Sequence, residues 1–225
     1  MQVHAHLAFV TATVVSAGSV FAANLYDWAG DPAGTVQVVT DPSGDQAEGS
    51  RDILSLWTAW DASNYYFRLD IRTAPEQEAG RFAAEYGVHI DLAPGGGDSS
   101  LASYIADGVT GIDTIVLSHY TVANGWTSNH RHNYLGDLAP APRVDTVMLE
   151  DVGGQVDFSE NGGTTLQWAI PKAALDGTPF VVYGATQNIS VPITFDLTAP
   201  LVVPEPATLA LLALGGLVGL RRRRA

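Results

Sequence analysis

The chain has 225 residues, no cysteine and a formal net charge of −13 at pH 7. Without cysteine there is no disulfide framework, no thiolate zinc site and no cysteine nucleophile. Four of the eleven lysines and arginines are Arg221 to Arg224, and all but Glu205 of the 24 acidic residues lie before residue 201. A body so acidic repels nucleic acid and anionic lipid, which argues against a DNA- or RNA-binding role.

The chain opens on a short apolar run, Leu7 to Val15, then small residues Ser16 to Ser19 and the tripeptide Val20-Phe21-Ala22. This predicts a secretory signal peptide over 1–22, cut by signal peptidase after Ala22. Its basic region is weak, with His4 and His6 where Lys or Arg is usual. Residues 23–200 then make one domain, large enough to bury a core without staples.

Period-two patterning dominates that domain. Ile53 to Trp60 and Tyr65 to Ile71 predict a hairpin through Asp61-Ala62-Ser63-Asn64. Glu76 to Glu85 reads as a short helix, and Tyr86, Val88, Ile90 and Leu92 as one face of a strand with His89 and Asp91 opposite. Ile112 to Val122 is more uniformly apolar and predicts a strand buried between layers, closed by a type I′ turn at Asn124-Gly125. Val144 to Val152 and Gln155 to Phe158 flank Gly153-Gly154 as a second hairpin. Thr164 to Ile170, Phe180 to Gln187 and Val191 to Leu197 complete about nine strands, with a second short helix at Pro171 to Leu175. Many short strands between Gly- and Pro-rich turns predict an all-β fold, an antiparallel sandwich of jelly-roll or immunoglobulin-like kind.

Three constellations carry chemistry. Asp41, Ser43, Asp45 and Asp52 occupy positions 1, 3, 5 and 12 of a loop suited to Ca2+, although Gln46 stands where an EF-hand needs glycine and Asp52 where it needs glutamate. The same residues also satisfy an Asx-rich turn. In the second, Asn124 to Asn133 is read as a polar loop that presents Trp126, Asn129, His130 and His132 to a ligand, with Trp126 the exposed aromatic. Aromatic faces stack on sugars, so polysaccharide is the ligand class; the alternative use of Trp28, Trp57, Trp60, Trp126 and Trp168 is core packing. Trp57 and Trp60 have opposite parity, so one points inward and the other outward. The third is histidine-rich: His89, His119, His130 and His132 suit either a transition metal or an exposed polar surface. No Gly-x-Ser-x-Gly, His-Glu-x-x-His or P-loop occurs, and the chain is read as non-catalytic.

The far end is the most specific. Val203-Pro204-Glu205-Pro206 precedes an apolar stretch, Ala207 to Leu220, and then Arg221, Arg222, Arg223 and Arg224. Fourteen helical residues rise about 21 Å, a short membrane span, and the arginines stay on the cytoplasmic side. Residues 201–225 resemble the PEP-CTERM sorting tail, with its Pro-Glu-Pro triplet, span and arginine cluster in order. The resemblance implies recognition by an exosortase-type membrane protease, at the inner membrane of a Gram-negative bacterium that makes exopolysaccharide. The product would stand transiently anchored, then at the cell surface or in the extracellular matrix.

A second likeness covers the body. Asp41-Pro42-Ser43-Gly44-Asp45, Asp52-Ile53, Trp57 to Asp61, Tyr65 to Asp70 and Trp168-Ala169-Ile170-Pro171 follow one another as in DOMON-like sandwiches. That group includes family-9 carbohydrate-binding modules. The resemblance implies a carbohydrate-binding module, or, as the alternative, a haem- or metal-binding redox domain in which Met148 partners a histidine. A glycan-processing enzyme is the third reading.

Overall fold

The computed structural model describes residues 24–78, 83–93, 112–134, 143–175, 177–188 and 194–203. The predicted signal peptide, the Pro-Glu-Pro triplet, the apolar stretch and the arginine cluster lie outside these residues. No helix among the described residues is long and apolar enough to cross a membrane.

Twelve strands are described: β1 (Gln37–Thr40), β2 (Ile53–Trp60), β3 (Asn64–Ile71), β4 (Ala83–Ala93), β5 (Thr114–Thr121), β6 (Gly125–Tyr134), β7 (Arg143–Met148), β8 (Gln155–Glu160), β9 (Thr165–Pro171), β10 (Thr178–Asn188), β11 (Thr194–Leu197) and β12 (Leu201–Val202). They form two sheets, ordered β1-β2-β3-β9-β8 and β11-β10-β4-β5-β6-β7, with β12 beside β11 on the same edge of β10. Every described pairing is antiparallel.

Alternation explains the layering. On β3, Tyr65, Phe67, Leu69 and Ile71 are buried, and on β4 so are Tyr86, Val88, Ile90 and Leu92. These two faces meet in one core with Leu56 and Trp60 of β2, Val116 and Tyr120 of β5, and Leu166, Trp168 and Ile170 of β9. The predicted β2–β3 hairpin is present, with Asp61 capping its turn through the amides of Ser63 (2.7 Å) and Asn64 (2.8 Å).

Four expectations are corrected. Among the described residues of 76–85 there is no α-helix: a 3-10 turn covers Pro75–Gln77, and β4 is already extended at Ala83. The alternation that begins at Ala84 prevails, because that face closes the core. The segments around Gly153-Gly154 are not a hairpin. β7 pairs with β6 in one sheet and β8 with β9 in the other, so the glycines carry the chain between layers. Leu149 is fully buried there, and a Cβ on Gly154 would sit 2.4 Å from its Cγ. At Asn124-Gly125 only the glycine takes a positive φ (+68°), and the Asn124 amide donates to the Thr121 carbonyl. That is a type I turn closed by a left-handed glycine, not a type I′ turn. Finally, residues 125–134 are a strand, not a loop.

Residues 25–36 fold back over the outer face of the first sheet. Tyr26 and Trp28 pack on Ala59, Tyr66 and Ala169, and Trp28 Nε1 donates to Gln167 (2.7 Å). At the other end, Leu201 and Val203 are buried, so the fold runs three residues past 200.

Candidate metal centre and outward faces

β1 ends at Thr40, and the Asp41 amide donates to the Leu54 carbonyl, which fixes the start of the acidic loop. Gly44 turns that loop with a φ of +91°, and its amide donates to Asp52 Oδ2 (2.7 Å). Carboxylate oxygens of Asp41, Asp45 and Asp196 come within 4.8 Å of one another. Asp196 belongs to β11 in the other sheet and is held there by the Ile53 amide, which donates to its Oδ2 (2.8 Å). Two oxygens on opposite sides of one Ca2+ stand about 4.6–5.2 Å apart, so the three fit a single ion of that size. Oxygen donors alone select a hard cation over a soft one.

Electrostatics agree with the geometry. Removal from water, and then the charges of Asp196, Asp45 and Asp52, push the Asp41 carboxyl up to about 7. Burial likewise raises Asp196, helped by Asp45 and Asp52. Asp52 is fully buried; its Oδ2 pairs with Arg72, while its Oδ1 has no hydrogen-bond partner among the described residues. Asp41 Oδ2 is shut off from solvent in the same condition. Of the four loop residues named from sequence, Asp41 and Asp45 converge, Asp52 lies close enough for its charge to act on Asp41, and Ser43 is exposed. Asp196 was missed, since it lies 143 residues from its anchor and no local spacing announces it.

Trp126, Asn129, His130 and His132 are not brought together. β6 carries a bulge: Trp126 opposes Tyr120 but Ser128 opposes His119, which leaves Thr127 unpaired and switches the parity of the residues after it. Trp126 therefore turns inward, half-buried against Phe158 (ring centroids 4.1 Å), Tyr120 (5.2 Å) and Tyr86 (5.4 Å). It is not an exposed platform. Asn129 also points inward: it accepts from Ser118 Oγ (2.6 Å), which in turn accepts from Trp168 Nε1 (2.9 Å). Its amide nitrogen reaches Glu150 (2.7 Å).

His130 and His132 face the other way, stacked at 5.6 Å, and His132 Nδ1 contacts Thr146 Oγ1 (2.8 Å). His89 and His119 share this outward face; burial lowers both, His89 to about 3, so both rings are neutral at pH 7. Met148 stands directly across from His130 on β7. The two lie side by side at one strand spacing, whereas two axial haem ligands approach the iron from opposite sides of the ring.

Parity separates Trp60 from Trp57 as the sequence predicts. Trp60 is core, and Trp57 is half-buried on the outer face of the first sheet. There it lies in a cross-strand row with Val38, Arg68 and Gln167. Arg68 sits 5.1 Å from the Trp57 ring centroid, and Trp57 Nε1 donates to Asp70 (2.9 Å). Trp28 and Trp168 are buried.

Comparison with known proteins bears on the C-terminus. The family model of the PEP-CTERM protein-sorting motif matches residues 202–224. The chain thus carries that motif, which implies recognition by an exosortase, a membrane protease, with export and transient anchoring through the tail. Neither the curated proteins nor the solved structures offer a match to this chain.

Proposed function

We propose that this PEP-CTERM-bearing chain is an exported cell-surface or matrix protein whose sandwich is a non-catalytic binding module, with Ca2+ as its structural ion and polysaccharide as its ligand class. The observation that carries the calcium reading is the convergence of Asp41, Asp45 and Asp196 near the buried Asp52. A concentration of negative charge with unpartnered, desolvated oxygens is costly unless a cation completes it. Millimolar Ca2+ outside the cell suits a site of modest affinity.

The polysaccharide reading rests on the outer face of the first sheet. Trp57 is half-buried there, with Trp28 against it (ring centroids 6.4 Å) and Arg68 5.1 Å from its ring centroid, so a sugar would meet the part of the ring left to solvent, with Arg68 and Asp70 beside it. Sugars ask for that pairing of apolar face and polar edge. The test is affinity electrophoresis of the full chain through gels containing bacterial exopolysaccharide. Trp57→Ala should lose most of the retardation, a weakening of about 1–3 kcal/mol. Equal retardation of variant and parent would move the site off this face, and free migration of the parent would end the polysaccharide reading.

A further inference from the structure

The acidic loop and Asp196 come from different sheets and from opposite ends of the domain. Asp41 follows β1 in the first sheet, and Asp196 lies in β11, the edge of the second. β11 is short and, among the described residues, pairs with β10 over Ala185 to Asn188. From Asp196 the chain runs six residues to Val202, which lies in β12 and is the first residue matched by the sorting motif. Val203 is buried at 2 % exposure, so the motif starts inside the sandwich with no spacer.

We infer that Ca2+ held by Asp41, Asp45 and Asp196 is a clasp between the two sheets, and that it fixes β11 and β12, the stem from which the sorting tail leaves the fold. This rests on the calcium reading above and adds what the ion does. One feature points to a ligand beyond the acidic cluster itself: Asp52 is fully buried and paired through Oδ2 with Arg72, while its Oδ1 is unpartnered among the described residues. Without a cation, repulsion among Asp41, Asp45, Asp52 and Asp196 drives the loop and β11 apart. Among the described residues, the Ile53 amide to Asp196 and Thr186 Oγ1 to the Arg51 carbonyl (2.6 Å) oppose that separation, beside the core packing of Leu201 and Val203. With a cation the same charges become the adhesive. The stem is then ordered where Ca2+ is plentiful, outside the cytoplasm, and loose where it is scarce.

The experiment is hydrogen–deuterium exchange on the full chain in detergent, in CaCl2 and in EGTA, with calcium titration calorimetry alongside. Ca2+ should slow amide exchange both in 41–52 and in 194–203. Asp45→Asn changes an exposed side chain. It should nevertheless abolish the calcium-dependent slowing at 194–203, about 150 residues away. Asp196→Asn should weaken binding by roughly tenfold or more through the loss of one ligand charge. Slowing confined to 41–52, or parental affinity in Asp196→Asn, would overturn the clasp while leaving a calcium loop in place. No calcium binding by the parent chain would overturn both readings.

Discussion

At the scale of single residues, two side chains make firm predictions. Trp126 fills space between Phe158, Tyr120 and Tyr86, so Trp126→Ala should remove about 3 kcal/mol of stability, read from the urea midpoint. A loss under about 0.5 kcal/mol would mean that the ring is exposed after all. Asp41 predicts a pH dependence. Its carboxyl titrates near 7 in the folded protein, against 3.8 for the free group. The folded state therefore keeps a proton that the unfolded chain releases. This favours folding fully below about pH 4, and the benefit is lost as the pH rises through 7. In EGTA the melting temperature of the parent should fall across that window more steeply than that of Asp41→Asn, which stays neutral. In saturating Ca2+ the difference should vanish for the parent, because the ion replaces the proton. Parallel profiles for parent and variant in EGTA would show that Asp41 does not titrate there.

At the scale of elements, the centre of the second sheet turns on one glycine. Gly87 lies mid-β4 opposite Leu117 of β5, and a Cβ there would come 2.0 Å from the Val116 carbonyl oxygen. Backbone cannot move aside as a flexible side-chain tip can. Gly87→Ala should prise β4 from β5, with a stability loss of more than about 2 kcal/mol and faster exchange of the Val116 to Ser118 amides. Normal stability would mean that the strands are farther apart than described. The β6 bulge is the other decisive local feature. One extra residue at Thr127 sends Trp126 and Asn129 to the core and His130 and His132 outward, which dissolves a ligand site read from adjacency in sequence.

At the scale of the whole molecule, the sorting motif overlaps the sandwich by Val202 and Val203, so the tail leaves directly from folded structure. If the tail is a processing signal, mass spectrometry of the mature protein from its native host should find no chain ending in Arg221 to Arg224 and Ala225. Recovery of that intact end would show that the tail is retained as an anchor.

What the sequence determined by itself was local. The alternation in β2, β3 and β4 reflects a two-residue side-chain period, and any chain with that pattern must bury one face. The sorting motif is linear and was legible whole. Asp41 and Asp45 were legible as a loop able to hold a hard cation. Only the tertiary structure decided the rest. The crossing at Gly153-Gly154 depends on which sheet each neighbouring strand joins, and flanking strand patterns read the same for a hairpin. The inward turn of Trp126 depends on a bulge, whose cause is the pairing of β6 with β5 rather than any residue of β6 alone. Asp196 joins the carboxylate cluster because β11 closes the edge of the second sheet beside the end of β1. Such a site is assembled by long-range packing, and one-dimensional spacing carries no trace of it.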